Sequence, residues 1–323
     1  MMEVGPVRAD DEIHETVLAE LLDGAADAVW LRFAPPMKSL FGDLQSLESF
    51  LRGLRADFGE PHEVVETWSF SLGESWVSER RITSGKLDTP GFVSIVSRKG
   101  TDTITGLLVN QEPRLPPSPH ADSPSRTDLR LPVTGSWFVL WGGDNPSRNR
   151  HAATPCERFA VDLVAVGETG THRFPADANE AFHCFGRPVL APADGRVVSV
   201  LDGIEDNAPG VLNRAVPPGN HVILQHAVGE FSVLAHLRRG SVSVRAGDQV
   251  SRGRELGRCG NSGVSTEPHL HFAVQDQPRY GEGHGIPFLV TCCPKGEAPP
   301  RLTPLLRGEV VTACDERRSS ADE

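Results

Sequence analysis

The chain has 323 residues, with 32 Lys or Arg against 43 Asp or Glu, giving a net charge of −11. That length suits about two domains. The acidic balance excludes a broad nucleic-acid surface, which needs concentrated positive charge. Hydrophobic residues at 38% and charged residues at 23% describe a globular chain rather than a disordered one. No apolar run is long enough for an integral membrane segment. The opening stretch MMEVGPVRADDEIHE is acidic and lacks an apolar core, so it does not read as a secretory signal.

Asp10 and Asp11 cap a predicted helix that carries Ile13, Val17, Leu18, Leu21, Leu22 and Ala25 at helical spacing. A second helix is predicted from about Asp43, with Leu44, Leu47, Phe50, Leu51, Leu54 and Phe58 on one face. Gly59 with Pro61 stops it. Four alternating segments follow, Val64–Leu72, Ser75–Ile82, Phe92–Ser97 and Thr103–Val109. Helices followed by strands predict an α+β unit over residues 1–112, with helices on a small antiparallel sheet. His14 and His62 stand alone and read as solvated or capping residues, and no nucleophile–base set is present. The phrase FAPPMKSLFGDLQSLESFLRGLRADFGEP, with the meander ending in ITGLLV, resembles small cone-shaped helix-plus-sheet domains. Such domains precede some bacterial secreted hydrolases, and the resemblance implies binding or positioning rather than catalysis.

Gln111–Arg130 contains five prolines and no apolar periodicity. It reads as an exposed, extended linker, with residues 113–130 separating the two domains. From Leu131 to Glu323 the chain is rich in short strands and glycine turns, which predicts an all-β domain holding nine of the twelve histidines. The predicted strands include Trp137–Trp141, Phe159–Val166, Gly195–Leu201, His221–His226, Phe231–His236 and His269–Val274. All six cysteines lie in this part without a C-x-x-C pair, and they read as mostly reduced thiols.

His269 and His271 are two apart on a predicted strand, so both imidazoles project from one face. Two imidazoles on a rigid face begin a zinc site, although an H-x-H alone also describes an ordinary edge strand. The surrounding phrases decide between these readings. They are GRPVLAPADG from Gly186, GNHVILQH from Gly219, SVLAHL from Ser232, AGDQV from Ala246 and GRELGRCGNSGVST from Gly253. In this order and spacing they resemble the LytM/lysostaphin family of zinc endopeptidases, almost continuously from Gly186 to Val274.

The resemblance implies an antiparallel sheet with a groove, and one zinc per chain. It implies that His271 and Asp162 are zinc ligands, and that His236 and His269 act beside the metal in catalysis. The family's first histidine ligand falls four residues before that aspartate, where this chain has Arg158. A guanidinium cannot ligate zinc. The stretch WGGDNPSRNRHAATPCERFAVDLV resembles a branch whose histidine lies further upstream, which implies His151 as the third ligand. The competing reading leaves His151 on a loop surface and the site degenerate. Arg158 itself reads as an ion-pair partner near Asp162. His226 reads as an orienting residue beside the site, and His172, His183, His221 and His284 as loop or surface residues.

The implied substrate is a peptide of bacterial peptidoglycan, which places the protein outside the cytoplasm although no signal segment is evident. The alternative is a non-catalytic scaffold that binds peptidoglycan or activates a cell-wall amidase. The sequence leaves the oligomeric state open.

Overall fold

The computed structural model describes residues 9–59, 62–294 and 300–314. The reading of the extreme N-terminus and the role of Pro61 lie outside those residues or largely so. The chain divides into two compact units, Met1–Arg114 and Leu115–Glu323.

In the first unit α1 spans Ala9–Asp23, with Asp10, Asp11 and Glu12 in its first turn, where carboxylates suit the helix dipole. Two short helices follow, α2 at Ala26–Arg32 and α3 at Pro35–Phe41. Neither was expected: seven residues are too few to display a helical period. The longer α4, Leu44–Phe58, begins at Asp43, whose carboxylate accepts the Ser46 amide at 2.8 Å. Gly59, at φ 71°, ends it. Strands β1 (His62–Leu72), β2 (Ser75–Ser84), β3 (Gly91–Arg98) and β4 (Ile104–Gln111) form an antiparallel meander in chain order. Val17, Leu21, Leu47 and Leu51 of the helices share a core with Ile82, Ile95 and Ile104 of the sheet. His14 is a correction. It is fully buried in that region, and its Nε2 lies 2.8 Å from Ser97 Oγ, so it is neither solvated nor a cap.

The second unit is almost entirely β. Its strands are β5 (Leu129–Arg130), β6 (Ser136–Trp141), β7 (Val161–Val164), β8 (Pro188–Leu190), β9 (Gly195–Leu201) and β10 (Asn220–Ala227). They continue as β11 (Glu230–Leu237), β12 (Gln249–Val250), β13 (Glu255–Arg258), β14 (Leu270–Gln275), β15 (Val290–Pro294), β16 (Arg301–Thr303) and β17 (Val310–Thr312). The main sheet has the order β12-β9-β10-β11-β14-β7-β6-β17-β15-β16, with β5 joined to β15 in parallel. β8 and β13 form a separate ribbon. Trp137, Leu163, Val222, Leu234, Leu270 and Phe272 are buried together, and they fix the strands that carry the histidines.

The boundary between the units falls at Arg114/Leu115, near the start of the stretch read as a linker. Residues 115–130 are tied to the second unit. Ser125 N donates to Pro287 O at 2.7 Å, and Glu230 accepts from Ser125 Oγ, Arg126 N and Thr127 N. Among the described residues no helix is long and apolar enough to cross a membrane.

Candidate metal centre

Asp162 lies on β7 directly opposite His271 on β14, and His271 is in turn opposite Ala235 on β11. Three adjacent strands therefore set the position of His271 before any metal is considered. His271 Nδ1 lies 3.0 Å from Asp162 Oδ1. The residue after Ala235, His236, has φ 60°, a left-handed backbone that non-glycine residues rarely adopt. It sits where the β10–β11 register shifts between Asn220 and Val222, so the strand is locally free to turn. His269 comes one residue before β14, with Nδ1 2.9 Å from Glu267 O and Nε2 3.6 Å from Asp162 Oδ1.

His151 reaches the same place by a loop. Asn149, fully buried, donates from Nδ2 to Gly143 O at 2.9 Å, Arg158 O at 3.2 Å and Ala160 O at 3.0 Å. Its Oδ1 accepts the His151 amide at 3.0 Å. One amide side chain thus closes the loop and folds it over β7. Pro155 opens a single 3-10 turn, Pro155–Glu157, whose first carbonyl accepts from Gly285 N at 2.8 Å. The result places His151 Nε2 2.9 Å from Asp162 Oδ2. One ligand atom each from His151, Asp162 and His271 lie within 4.8 Å of one another. The His236 ring is 4.7 Å from that of His269 and 5.7 Å from that of His271, centre to centre. All five residues singled out from the sequence are therefore neighbours.

The electrostatics follow from burial. Desolvation opposes the Asp162 charge, but the facing His151 and His269 and the bonds from His151 and His271 hold its carboxyl well below the usual range. Burial pulls His151 down, yet Asp162 and Glu157 carry it up to about 9. His236 goes the other way: burial, then the charges of His269 and His271, keep it well below the ordinary imidazole value. Burial lowers His269 as well. Two nitrogens and an ionised oxygen, close together and buried, suit a divalent metal with nitrogen and oxygen ligands.

Other residues fall elsewhere. Arg158 does not pair with Asp162; its Nη1 donates to Pro116 O and its guanidinium lies over the Phe159 ring. His226 bonds to Asp194 O and Ser232 Oγ, none of them part of the cluster. His221 is a buried residue of β10, not a loop residue. The six cysteines are free thiols. Burial pushes Cys156 and Cys259 up, and Cys292 up to about 11, so none of these is a ready thiolate. Sequence reasoning missed Asn149, Glu157 and Tyr280. Glu157 lies two residues before the predicted strand Phe159–Val166, and Tyr280 is the chain's single tyrosine. Neither carries a periodic signal.

Residues 180–282 match the family model described as peptidase family M23. That match lies wholly within the second unit. The matched span includes His236, His269 and His271, and it begins after His151 and Asp162. Over 181 residues the chain is 29% identical to peptidoglycan DD-endopeptidase ShyA of Vibrio cholerae, covering 55% of this chain and 34% of that one. An uncharacterized metalloprotease of Haemophilus influenzae is 37% identical over 87 residues, 27% of this chain and 16% of that protein. The chain thus spans about a third or less of the length of these relatives. Among solved structures, the catalytic domain of lysostaphin from Staphylococcus simulans is 28% identical, covering 33% of this chain and 78% of that one at a TM-score of 0.22.

Proposed function

We propose that the second unit is an M23-type, zinc-dependent endopeptidase that cleaves peptide bonds in bacterial peptidoglycan, with one zinc per chain held by His151, Asp162 and His271. The observation that carries this reading is the convergence of those three donors, with His236 and His269 beside them. Two imidazoles and one carboxylate are the protein donor set of an open, catalytic zinc site rather than a closed, structural one. Bound there, zinc supplies Lewis-acid polarisation of a carbonyl and lowers the pKa of water.

The rest of the chemistry falls to the chain's own groups. The contact to Glu267 O makes His269 Nδ1 a donor, which leaves the lone pair on Nε2. His236 Nδ1 likewise donates to Ser262 O at 2.8 Å and leaves Nε2 free. Burial keeps both rings neutral, so each Nε2 is able to accept a proton and later return it to a leaving amine. Once protonated, either ring also stabilises negative charge developing on the carbonyl oxygen. The substrate class follows from the similarity to ShyA, a peptidoglycan DD-endopeptidase.

Metal analysis and turnover on purified peptidoglycan test the proposal together. The expected result is about one zinc per chain, most of it lost in Asp162→Ala while the β fold remains. His236→Ala and His269→Ala keep zinc but lose turnover by roughly a hundredfold or more. Full zinc occupancy in Asp162→Ala overturns the ligand set. A zinc-loaded protein that releases no peptide overturns the enzyme reading in favour of the scaffold.

A further inference from the structure

Each imidazole proposed as a ligand has two faces to its chemistry, and a second carboxylate meets the other one. His151 turns Nε2 towards Asp162 at 2.9 Å and Nδ1 towards Glu157 Oε2 at 3.6 Å. His271 turns Nδ1 towards Asp162 at 3.0 Å and Nε2 towards Glu157 Oε1 at 3.8 Å. His271 Nε2 is buried and has no hydrogen-bond partner. Asp162 thus faces the near nitrogens, and Glu157 faces the far nitrogens of the same two rings.

Glu157 is itself held. It ends the Pro155–Glu157 turn, and the Tyr280 hydroxyl donates to its Oε1. Tyr280 enters from the segment after β14, and Gly285 of that segment bonds the turn through Pro155 O at 2.8 Å. The carboxylate is mostly buried, with 16% of its side chain exposed. Glu157 approaches each ring at the nitrogen turned away from Asp162, which sets it behind the rings rather than among the ligands.

We propose that Glu157, pinned by Tyr280, is a positioning residue that accepts the far N–H of both His151 and His271 and so fixes which nitrogen each ring offers to zinc. This rests on the ligand set proposed above. A ring shift of less than about 1 Å brings both separations into hydrogen-bond range. An imidazole with its proton fixed on one nitrogen presents the other as a lone pair, and an anionic acceptor makes that lone pair more basic. The shared carboxylate also offsets the positive charge that a divalent ion brings into a buried site. One residue orienting both ligands lets a histidine supplied by a loop match one supplied by a strand.

The test is zinc affinity of the full chain, measured by chelator competition on wild type, Glu157→Gln, Tyr280→Phe and Asp162→Ala. Glu157→Gln keeps the shape but loses the charge, and it is expected to weaken zinc binding by about ten- to a hundredfold. The stoichiometry stays at about one zinc per chain, and the metal-free protein keeps its thermal stability. Tyr280→Phe weakens binding by a smaller factor in the same direction. A merely structural role lowers the metal-free melting temperature and leaves affinity of the folded protein unchanged. Glu157→Gln with affinity within about twofold of wild type overturns the proposal while Asp162→Ala still abolishes binding. If Asp162→Ala binds zinc like wild type, the ligand set fails and the positioning role fails with it.

Discussion

At the scale of single residues the site is expensive, and His236 shows where the cost lies. Its φ of 60° puts a β-carbon against the following carbonyl, which costs about 1–2 kcal/mol in an L-residue. The sequence shows only an A-H-L phrase inside an apolar strand, and no periodicity reveals a left-handed residue there. The backbone contacts impose it: His236 N donates to Pro218 O and Gly260 N donates to His236 O, both at 3.0 Å. Glycine tolerates this conformation and alanine does not. His236→Gly and His236→Ala remove the same imidazole, so their difference isolates the backbone. The glycine variant is expected to be more stable by about 1 kcal/mol in urea unfolding of the metal-free chain. The reverse order would mean that the left-handed turn is not imposed by its surroundings.

At the scale of elements, the strand assignments were legible because period-two alternation and glycine turns are local signals. His271, Asp162, His236 and His269 were reached through phrases in a fixed order, whereas His151 depended on a loop. What closes that loop is Asn149, four contacts from one side chain, and an asparagine in a polar stretch looks like any turn residue. In the proline-rich stretch, likewise, composition reports stiffness, not where the hydrogen bonds go. Leu129 is fully buried, β5 pairs with β15, and His120 Nε2 lies 3.0 Å from Asp276 Oδ2. A fragment of residues 115–323 is therefore expected to be more stable than one of residues 131–323. Burial of Leu129 alone contributes about 2 kcal/mol, and the bonds to Glu230 add more. Chemical unfolding of the two fragments measures the difference, and equal midpoints would return residues 115–130 to the status of a linker.

At the scale of the whole molecule, buried histidines give each unit its own response to acid. In the second unit His221, His236 and His269 are lowered by burial while His151 is raised, so their effects oppose one another. The first unit offers a simpler case in His14. Burial, then the charge of Arg80, lowers its pKa from 6.5 to about 4. The unfolded chain therefore binds a proton between these values that the folded unit refuses. The contribution is fully present above pH 6.5, is lost as pH falls towards 4, and changes no further below that. The shift corresponds to about 3 kcal/mol. Among the described residues every α-helix lies between Ala9 and Phe58, so the helical circular-dichroism signal follows this unit within the intact chain. Urea unfolding followed by that signal is expected to lose stability between pH 7 and pH 5. His14→Gln keeps a polar group near Ser97 but cannot gain a proton, so it should remove much of that slope even if it lowers stability at neutral pH. An unchanged slope in His14→Gln would show that His14 does not carry the acid sensitivity of the first unit.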